Sequence, residues 1–331
     1  MLLRILAGLM VLVLATSVAN AASFDCKKAT TPFEVAICSN PDLGKADEVL
    51  AVAYQTAIGG LSKAALGEVQ KGQRAWLDYA QRSCTRDAKL PKAQYVADDM
   101  NCLHSTITNR ARDLEASRMW GGLRVYTVED FGVIPDTTAE ADAWNKVATR
   151  EVSVPRVDGT DEEAKAFNAF IEAKGPKLKG EMDETSDVSI TAAIEDVTAG
   201  RISISINNWW YGHGAAHGNY DISYLHFLRG EKRALEASDV FAKDGWEEHL
   251  GALALAKLDE TIEGGIWEES REDAPKVAAD PSRWNFTGEG LVIQYQPYEV
   301  TAYAYGAPTI TIPWAQLTEY LAENGQTIGQ Y

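Results

Sequence analysis

The stretch Arg201 to Phe227 constrains the fold more than any other part of the chain. On its first arm Ile202, Ile204 and Ile206 alternate with polar residues, and a glycine-rich segment leads to a second alternating arm that begins at Tyr220. Successive side chains of a strand point to opposite faces, so this pattern predicts a β-hairpin with one apolar face and one wet face. The chain must therefore contain a sheet around this hairpin.

Aromatic residues crowd the hairpin turn and recur near the end of the chain. Trp209, Trp210 and Tyr211 stand at the entrance of the turn. Rings with polar tips are typical of binding surfaces, burial in a core is the alternative, and stacking against a glycan is a third interpretation. The predicted partner-binding residues are Trp209, Tyr211, His213, His217, Tyr298, Tyr303 and Tyr305.

Two histidines in the turn invite comparison with a metal site. His213 and His217 are four residues apart, the spacing of His-Glu-x-x-His enzymes, but they lie in a glycine turn and no glutamate follows the first one. A histidine in such a turn can instead fix the loop through one donor and one acceptor. We predict no metal site, no cofactor and no catalytic residue.

The first 22 residues are typical of a secretory signal peptide. Arg4 precedes an apolar run from Ile5 to Leu14, and small residues lead to a cleavage site near Ala21 or Ala22. An uncleaved anchor is the alternative, although the run is short for a bilayer. No later stretch is apolar enough to span a membrane, so we expect a periplasmic or secreted protein.

Charge is divided unevenly along the chain. Residues 23–118 contain thirteen basic and twelve acidic residues, whereas residues 119–331 contain seventeen and thirty-six, giving net charges of +1 and −19. This distribution disfavours nucleic acid and anionic membranes as partners and favours a cationic partner, although solubility alone also explains it.

All four cysteines lie in the near-neutral part, and in an exported chain an even number predicts two disulfides. Three pairings are possible. We favour Cys26 with Cys38 and Cys84 with Cys102, because each pair brackets a short local connection; a zinc site is the alternative.

Hydrophobic periodicity predicts an α+β protein: a small, disulfide-tied helical domain at 23–118, then an acidic α+β domain at 119–331 with an antiparallel sheet and packed helices. Helices are predicted at about 32–38, 42–58, 63–84, 93–115, 160–173, 246–262 and 314–324. Strands are predicted at about 123–129, 150–157, 188–196, 201–207, 220–226, 284–286, 291–295 and 309–312, with a loop at 264–281.

The cysteine spacing and a Gln-x-x-Trp helix together resemble the lysozyme-inhibitor LprI-like N-terminal domain over residues 23–117. The resemblance implies a small exported helical domain and the inhibition of lysozyme, an activity that some members of that family have. The residues that carry it are Phe24, Asp25, Cys26, Glu34, Ile37, Cys38, Pro41, Leu43, Asp47, Tyr54, Gln73, Arg74, Trp76, Leu77, Cys84 and Cys102.

The acidic half resembles the DUF3298-like region of the anti-sigma factor RsiV over about residues 185–321. In RsiV this region binds lysozyme, so the resemblance implies a receptor surface. The residues that carry it are those of the segment 211–218 together with Asp239, Val240, Phe241, Gly290, Leu291, Tyr298, Glu299, Val300, Tyr303, Ala304, Gly306, Ile312 and Pro313.

Enzymatic chemistry has no strong candidate in this sequence. A Gly-x-Ser-x-Gly motif is absent, and neighbouring acids such as Glu268 and Glu269 rarely supply two carboxylates about 5–10 Å apart across a sugar. We therefore predict an exported binding protein that binds and inhibits lysozyme or a similar cationic muramidase. The alternative is an accessory protein that binds or modifies peptidoglycan in the cell envelope.

Overall fold

The structure is a computed structural model that describes residues 22–140, 143, 146–174, 182–323, 325 and 328. The predicted signal peptide lies outside the described residues except for Ala22. Within the described part of the chain, no helix is both long enough and apolar enough to cross a bilayer.

The N-terminal region is helical, as predicted. The Thr31 hydroxyl accepts from the Glu34 amide and the Glu34 carboxylate accepts from the Thr31 amide, a capping box that starts the first helix. Cys26 bonds to Cys38 and Cys84 to Cys102, with Cα separations of 5.7 and 5.6 Å, which is the pairing favoured from the sequence. The helices are α1 (Pro32–Ser39), α2 (Pro41–Ile58), α3 (Lys63–Ser83) and α4 (Ala97–Asp113).

A seven-stranded sheet follows, with its strands in sequence order. The predicted α+β class is confirmed, but the sheet is mixed rather than antiparallel, because β3 and β4 pair in parallel. A crossover through helix α5 (Glu162–Ala173) makes that parallel pairing possible. The strands are β1 (Met119–Trp120), β2 (Leu123–Pro135), β3 (Val147–Val157), β4 (Ser186–Val197), β5 (Arg201–Gly212), β6 (Asn219–Leu228) and β7 (Arg233–Ala234).

Strand β2 extends six residues beyond its predicted end at Glu129. In the structure the Glu129 carboxylate is buried and paired with Arg110, so the strand continues to Pro135.

The two faces of the seven-stranded sheet are covered differently. One face packs on α5 through a core that includes Ile202, Ile204 and Phe167. The helical region covers the other face at β2 and β3, where Val133 joins the helical core. At its start the hairpin is buried on both faces, because Ser203 and His226 are covered by the C-terminal part; the expectation of one wet face holds only nearer the turn.

The C-terminal part is a three-stranded antiparallel sheet in the order β10, β9, β8, packed on helix α7 around Trp284, Phe286 and Tyr295. The predicted loop contains a short helix, and the closing helix ends early because Leu321 forms a β-bridge with Phe241. The elements are α6 (Ala237–Val240), α7 (Trp246–Thr261), α8 (Ala274–Ala278), β8 (Trp284–Phe286), β9 (Gly290–Gln294), β10 (Thr309–Pro313) and α9 (Trp314–Leu317).

Candidate partner-binding surface

The turn between β5 and β6 is shaped by a close approach of backbone and ring. A Cβ atom on Gly218 would lie 2.7 Å from the indole nitrogen of Trp209, so only glycine allows the ring to lie against the turn. Trp209 pairs across the hairpin with Tyr220, and paired residues share one face of the sheet. Alternation places Trp210 on the opposite face, away from these rings.

The loop between β9 and β10 docks on this hairpin. The side-chain amide of Gln296 donates to the Ile222 carbonyl at 2.6 Å and its oxygen accepts from the Ile222 amide at 2.8 Å, as a neighbouring strand would. The Tyr303 hydroxyl donates to the Gly218 carbonyl at 2.7 Å. The loop therefore has a fixed position relative to the turn.

This docking brings rings distant in sequence into contact. The His217 and Tyr303 rings stack with centroids 4.0 Å apart, Tyr298 lies 5.3 Å from Tyr303, and Tyr303 meets the edge of Tyr220 at 6.4 Å. Trp209 stacks on Tyr211 at 6.4 Å on the same face. We name this set, Trp209, Tyr211, His217, Tyr220, Tyr298 and Tyr303, the aromatic cluster.

The aromatic cluster is partly open to solvent. Tyr298 is 48% exposed and Trp209 37%. Tyr298 also has a φ of 65°, a conformation that is unfavourable for a bulky residue and that recurs at ligand-binding sites. The 49% exposed Tyr305 lies beside the cluster, and its hydroxyl donates to the Glu263 carbonyl at 3.2 Å.

His213 lies at the same turn but is buried. Its side chain is 8% exposed, its Nδ1 donates to Asp136 at 2.6 Å, and its Nε2 lies 3.5 Å from an Asp187 carboxylate oxygen. The hydrogen bond from His213 lowers the pKa of Asp136 to about 2. This hydrogen bond fixes the turn to the residue that follows β2. Among the described residues, no group of three or more potential ligands could hold a metal ion.

The base of the hairpin is fixed by a buried polar chain. His226 donates from Nε2 to the Trp284 carbonyl at 2.9 Å, so its Nδ1 accepts from the Ser203 hydroxyl, which in turn accepts from Arg201 at 2.7 Å. Burial lowers the pKa of His226 to about 3, so its ring is neutral at physiological pH. The hairpin and the C-terminal sheet are thus held in one arrangement under the aromatic cluster.

Two protein families match separate parts of the chain, one in its N-terminal region and one in its C-terminal region. Residues 26–114 match the family "Lysozyme inhibitor LprI", and residues 238–315 match "Protein of unknown function (DUF3298)". The chain joins an LprI-like region to a DUF3298-like region. No curated protein matches its sequence.

Two solved structures of DUF3298 proteins match part of this chain. A DUF3298 family protein from Pseudomonas aeruginosa PAO1 is 14% identical, with 61% of this chain and 95% of that chain covered at a TM-score of 0.44. A DUF3298 family member from Bacteroides fragilis NCTC 9343 is 17% identical, with 63% and 97% covered, also at 0.44.

The LprI-like region does not present its Gln-x-x-Trp motif to solvent. Gln73 accepts from Arg110 at 3.1 Å, the Arg110 guanidinium lies 5.8 Å from the Trp76 ring, and the same guanidinium forms a two-point ion pair with Glu129 of β2. Both charged side chains of this pair are at most 2% exposed. The motif therefore holds the helical region against the sheet.

The aromatic cluster lies partly inside and partly outside the range of the DUF3298-like match. Tyr298 and Tyr303 lie inside residues 238–315, whereas Trp209 and His217 lie before them. Of the residues predicted from the sequence, Trp209, Tyr211, His217, Tyr298 and Tyr303 lie together, His213 is buried beneath the turn, and Tyr305 lies to one side.

The structure adds residues that the sequence analysis did not assign to this surface. Tyr220 joins the rings, Gln296 fixes the loop, and Asp136 holds His213. The alternation of the second arm could have placed Tyr220 on the same face as Trp209, because the two residues lie opposite each other in the hairpin. Neither Gln296 nor Asp136 has a sequence signal, since their partners lie 74 and 77 residues away.

Proposed function

We propose that this protein is an exported, non-enzymatic protein that binds lysozyme or a similar cationic muramidase and inhibits it by covering its cleft. The observation that carries the proposal is the half-exposed aromatic cluster, held on two fixed segments, in a chain whose N-terminal region matches the LprI lysozyme-inhibitor family. The DUF3298-like match supplies the second half of the cluster.

The geometry of the cluster suits a protein partner. Tyr and Trp are enriched among the few interface residues that carry most binding energy, because they bury large areas at little conformational cost. The rings are already fixed by the Tyr303–Gly218 hydrogen bond and the Gln296–Ile222 pair, so little ordering is needed on binding. We therefore assign slow dissociation to the aromatic cluster.

The charge of the chain suits a basic partner. Residues 119–331 carry a net charge of −19, and such a field speeds the encounter with a cationic protein. Raising ionic strength should then reduce the association rate with little effect on dissociation.

The test is calorimetry of the mature chain against c-type and g-type lysozymes, with a muramidase turbidity assay beside it. We expect binding and inhibition by the wild type and a loss of affinity of about tenfold or more for Tyr298→Ala. Val52→Ala is the matched control, because Val52 is an exposed apolar residue on α2 of the LprI-like region. Equal affinity of both variants for lysozyme would remove the aromatic cluster from the interface.

Other outcomes separate the competing functions. Weakened binding by Val52→Ala alone would move the interface to the helical region. Absence of both heat and inhibition with both lysozyme classes would overturn the proposal. Salt-insensitive binding of a chitin oligosaccharide by the wild type would favour peptidoglycan as the ligand instead, because stacking of neutral sugars on rings depends little on ionic strength.

A further inference from the structure

A groove runs between α4 and the part of the sheet that the helical region leaves uncovered. Its floor follows a row of paired residues across adjacent strands, in which Glu151 lies beside Ser189, and Ser189 lies beside Trp209. Strand spacing places Glu151 and Trp209 roughly 10 Å apart on one face. This row therefore leads from the floor of the groove, at Ser189, to Trp209 of the aromatic cluster.

The inner part of the groove is a cavity of about 390 Å³. Its floor is polar: Ser153, Ser189 and Thr191 line it from β3 and β4, and Asp113 lines it from the end of α4. Ligand sites are commonly found where two packed units meet. The volume suits a single long side chain and the backbone that carries it.

The carboxylates of the groove differ in how they are compensated. Glu129 is paired with Arg110, and Glu151 accepts a hydrogen bond from the Tyr79 hydroxyl. No described residue donates a hydrogen bond to the Asp113 carboxylate or pairs with it within 4.0 Å. Arg112 is the only base among the described residues that line the cavity, and it donates to Asn109.

The state of Asp113 reflects this environment. Its side chain reaches water, but desolvation by the groove walls is the largest influence on it and raises its pKa to about 6. Arg110 lowers the pKa, Glu151 and Glu129 raise it further, and Arg112 has the smallest, lowering effect. A cation entering the groove would relieve the repulsion among these acids. A neutral sugar would not.

We infer that this groove receives an arginine- or lysine-bearing segment of the cationic partner, with the positive group beside Asp113 and the segment running over Ser189 toward Trp209. The inference rests on the proposed function and extends it, because it names a second contact area and the chemistry that area recognises. The occupant is argued from charge complementarity: the groove offers carboxylates to a cation, and beside its floor the exposed Trp209 ring is available for a cation–π contact.

Two variants test the groove, and one serves as a control. Asp113→Asn removes the unpaired charge, and Thr191→Arg fills the exposed floor with a cation of the chain itself. Glu172→Gln, on the exposed side of α5 and on the opposite face of the sheet, removes an equal charge elsewhere. We expect affinity for c-type lysozyme to fall about tenfold in each groove variant, and less than twofold in Glu172→Gln.

A small probe separates the groove from the whole complex. Tri-arginine peptide should shift the amide resonances of Ser189 and Thr191 in the wild type and leave them unchanged in Asp113→Asn. Entry of a cation favours ionised Asp113, so affinity for the peptide should fall as pH drops below about 6 in the wild type, in a groove also faced by Glu151, Glu129, Arg110 and Arg112. In Asp113→Asn this dependence should be much reduced.

The outcomes distinguish the two proposals. If tri-arginine binds the groove and lysozyme does not bind the wild type, the proposed function fails and the groove inference stands. If lysozyme binds the wild type, Asp113→Asn and Thr191→Arg equally well, the groove inference is overturned and the proposed function stands. If chitohexaose shifts the groove resonances and tri-arginine does not, the groove is a glycan site and the inference is also overturned.

Discussion

The same face of the large sheet is closed at one end and open at the other. Over β2 the helical region closes it with Arg110 and Glu129, a buried pair whose remaining donors and stacking surfaces are taken by Gln73, Trp76 and Phe131. At the groove and near the hairpin turn it is open, with Asp113 unpaired and Tyr298 half exposed. Arg110 and Glu129 thus pair with each other inside the fold, whereas the Asp113 carboxylate faces the groove without such a partner.

The closed end of this face therefore contributes to stability, and the open end has the groups that are available for binding. A buried ion pair with all its partners contributes to a specific packing of two regions and offers nothing to a ligand. An unpaired acid and exposed rings cost the free protein stability but gain energy in a complex. The LprI-like motif thus acts at the closed end, and the proposed binding surface lies at the open end.

The largest expected effect is at the closed end. Glu129→Gln leaves the buried Arg110 charge without its counter-ion, so the free energy of unfolding should fall by about 3–5 kcal/mol in urea denaturation. The carboxylate also packs directly against the α3 backbone, since a Cβ atom on Gly72 would lie 3.0 Å from a Glu129 oxygen. Asp130→Asn is the control: Asp130 is exposed and paired with Arg150, and its loss should cost less than about 1 kcal/mol. Equal costs would mean that the buried pair does not hold the two regions together.

A smaller effect is expected beneath the turn at the open end. His213→Leu removes the donor that stabilises ionised Asp136 and should lower stability at pH 7 by about 1–2 kcal/mol. Asp136 has a lowered folded-state pKa, so its contribution is present above its ordinary value of 3.8 and is lost as pH falls toward about 2. The cost of the variant should therefore shrink between pH 4 and pH 2, as followed by urea unfolding.

The exposed histidine of the same turn provides the comparison. His217→Leu should change stability by less than about 0.5 kcal/mol, because His217 stacks on Tyr303 at the surface. Carboxylate titration by NMR gives a second measurement, in which the pKa of Asp136 rises toward 3.8 in His213→Leu and stays near 2 in His217→Leu. An unchanged Asp136 in both variants would contradict the pinning role of His213.

Local patterns predicted elements better than they predicted contacts. The alternation at Ile202 to Ile206 and the capping signals at Thr31 and Glu34 determine the hairpin and α1 through neighbouring residues, and both are confirmed. The parallel pairing of β3 with β4 depends on a crossover rather than on the strand pattern, so this one parallel pair in an otherwise antiparallel sheet was not predicted.

The aromatic cluster was predictable only in part, because its assembly also depends on contacts between segments that are distant in sequence. Aromatic residues near glycines identified Trp209, His217 and Tyr298, but local sequence cannot show that two segments about 80 residues apart meet. Burial of His213 follows from Asp136, which is distant in sequence, and the groove exists only because α4 ends over β3. Long-range packing decides which of several similar side chains faces solvent.

The smallest expected effect is a change in melting temperature at Asp113, and its sign tells whether this open-end acid stabilises or destabilises the free protein. The folded-state pKa of Asp113 is raised from 3.8 to about 6, so its favourable contribution exists at low pH and is lost as pH rises through about 6. Asp113→Asn should therefore raise the melting temperature at pH 7.5 by about 1–2 °C and leave it unchanged near pH 3, as followed by circular dichroism. A lower melting temperature at pH 7.5 would mean that Asp113 has a structural partner. A higher one, combined with weaker binding of lysozyme, would show an acid that costs the free protein stability and contributes only in the complex.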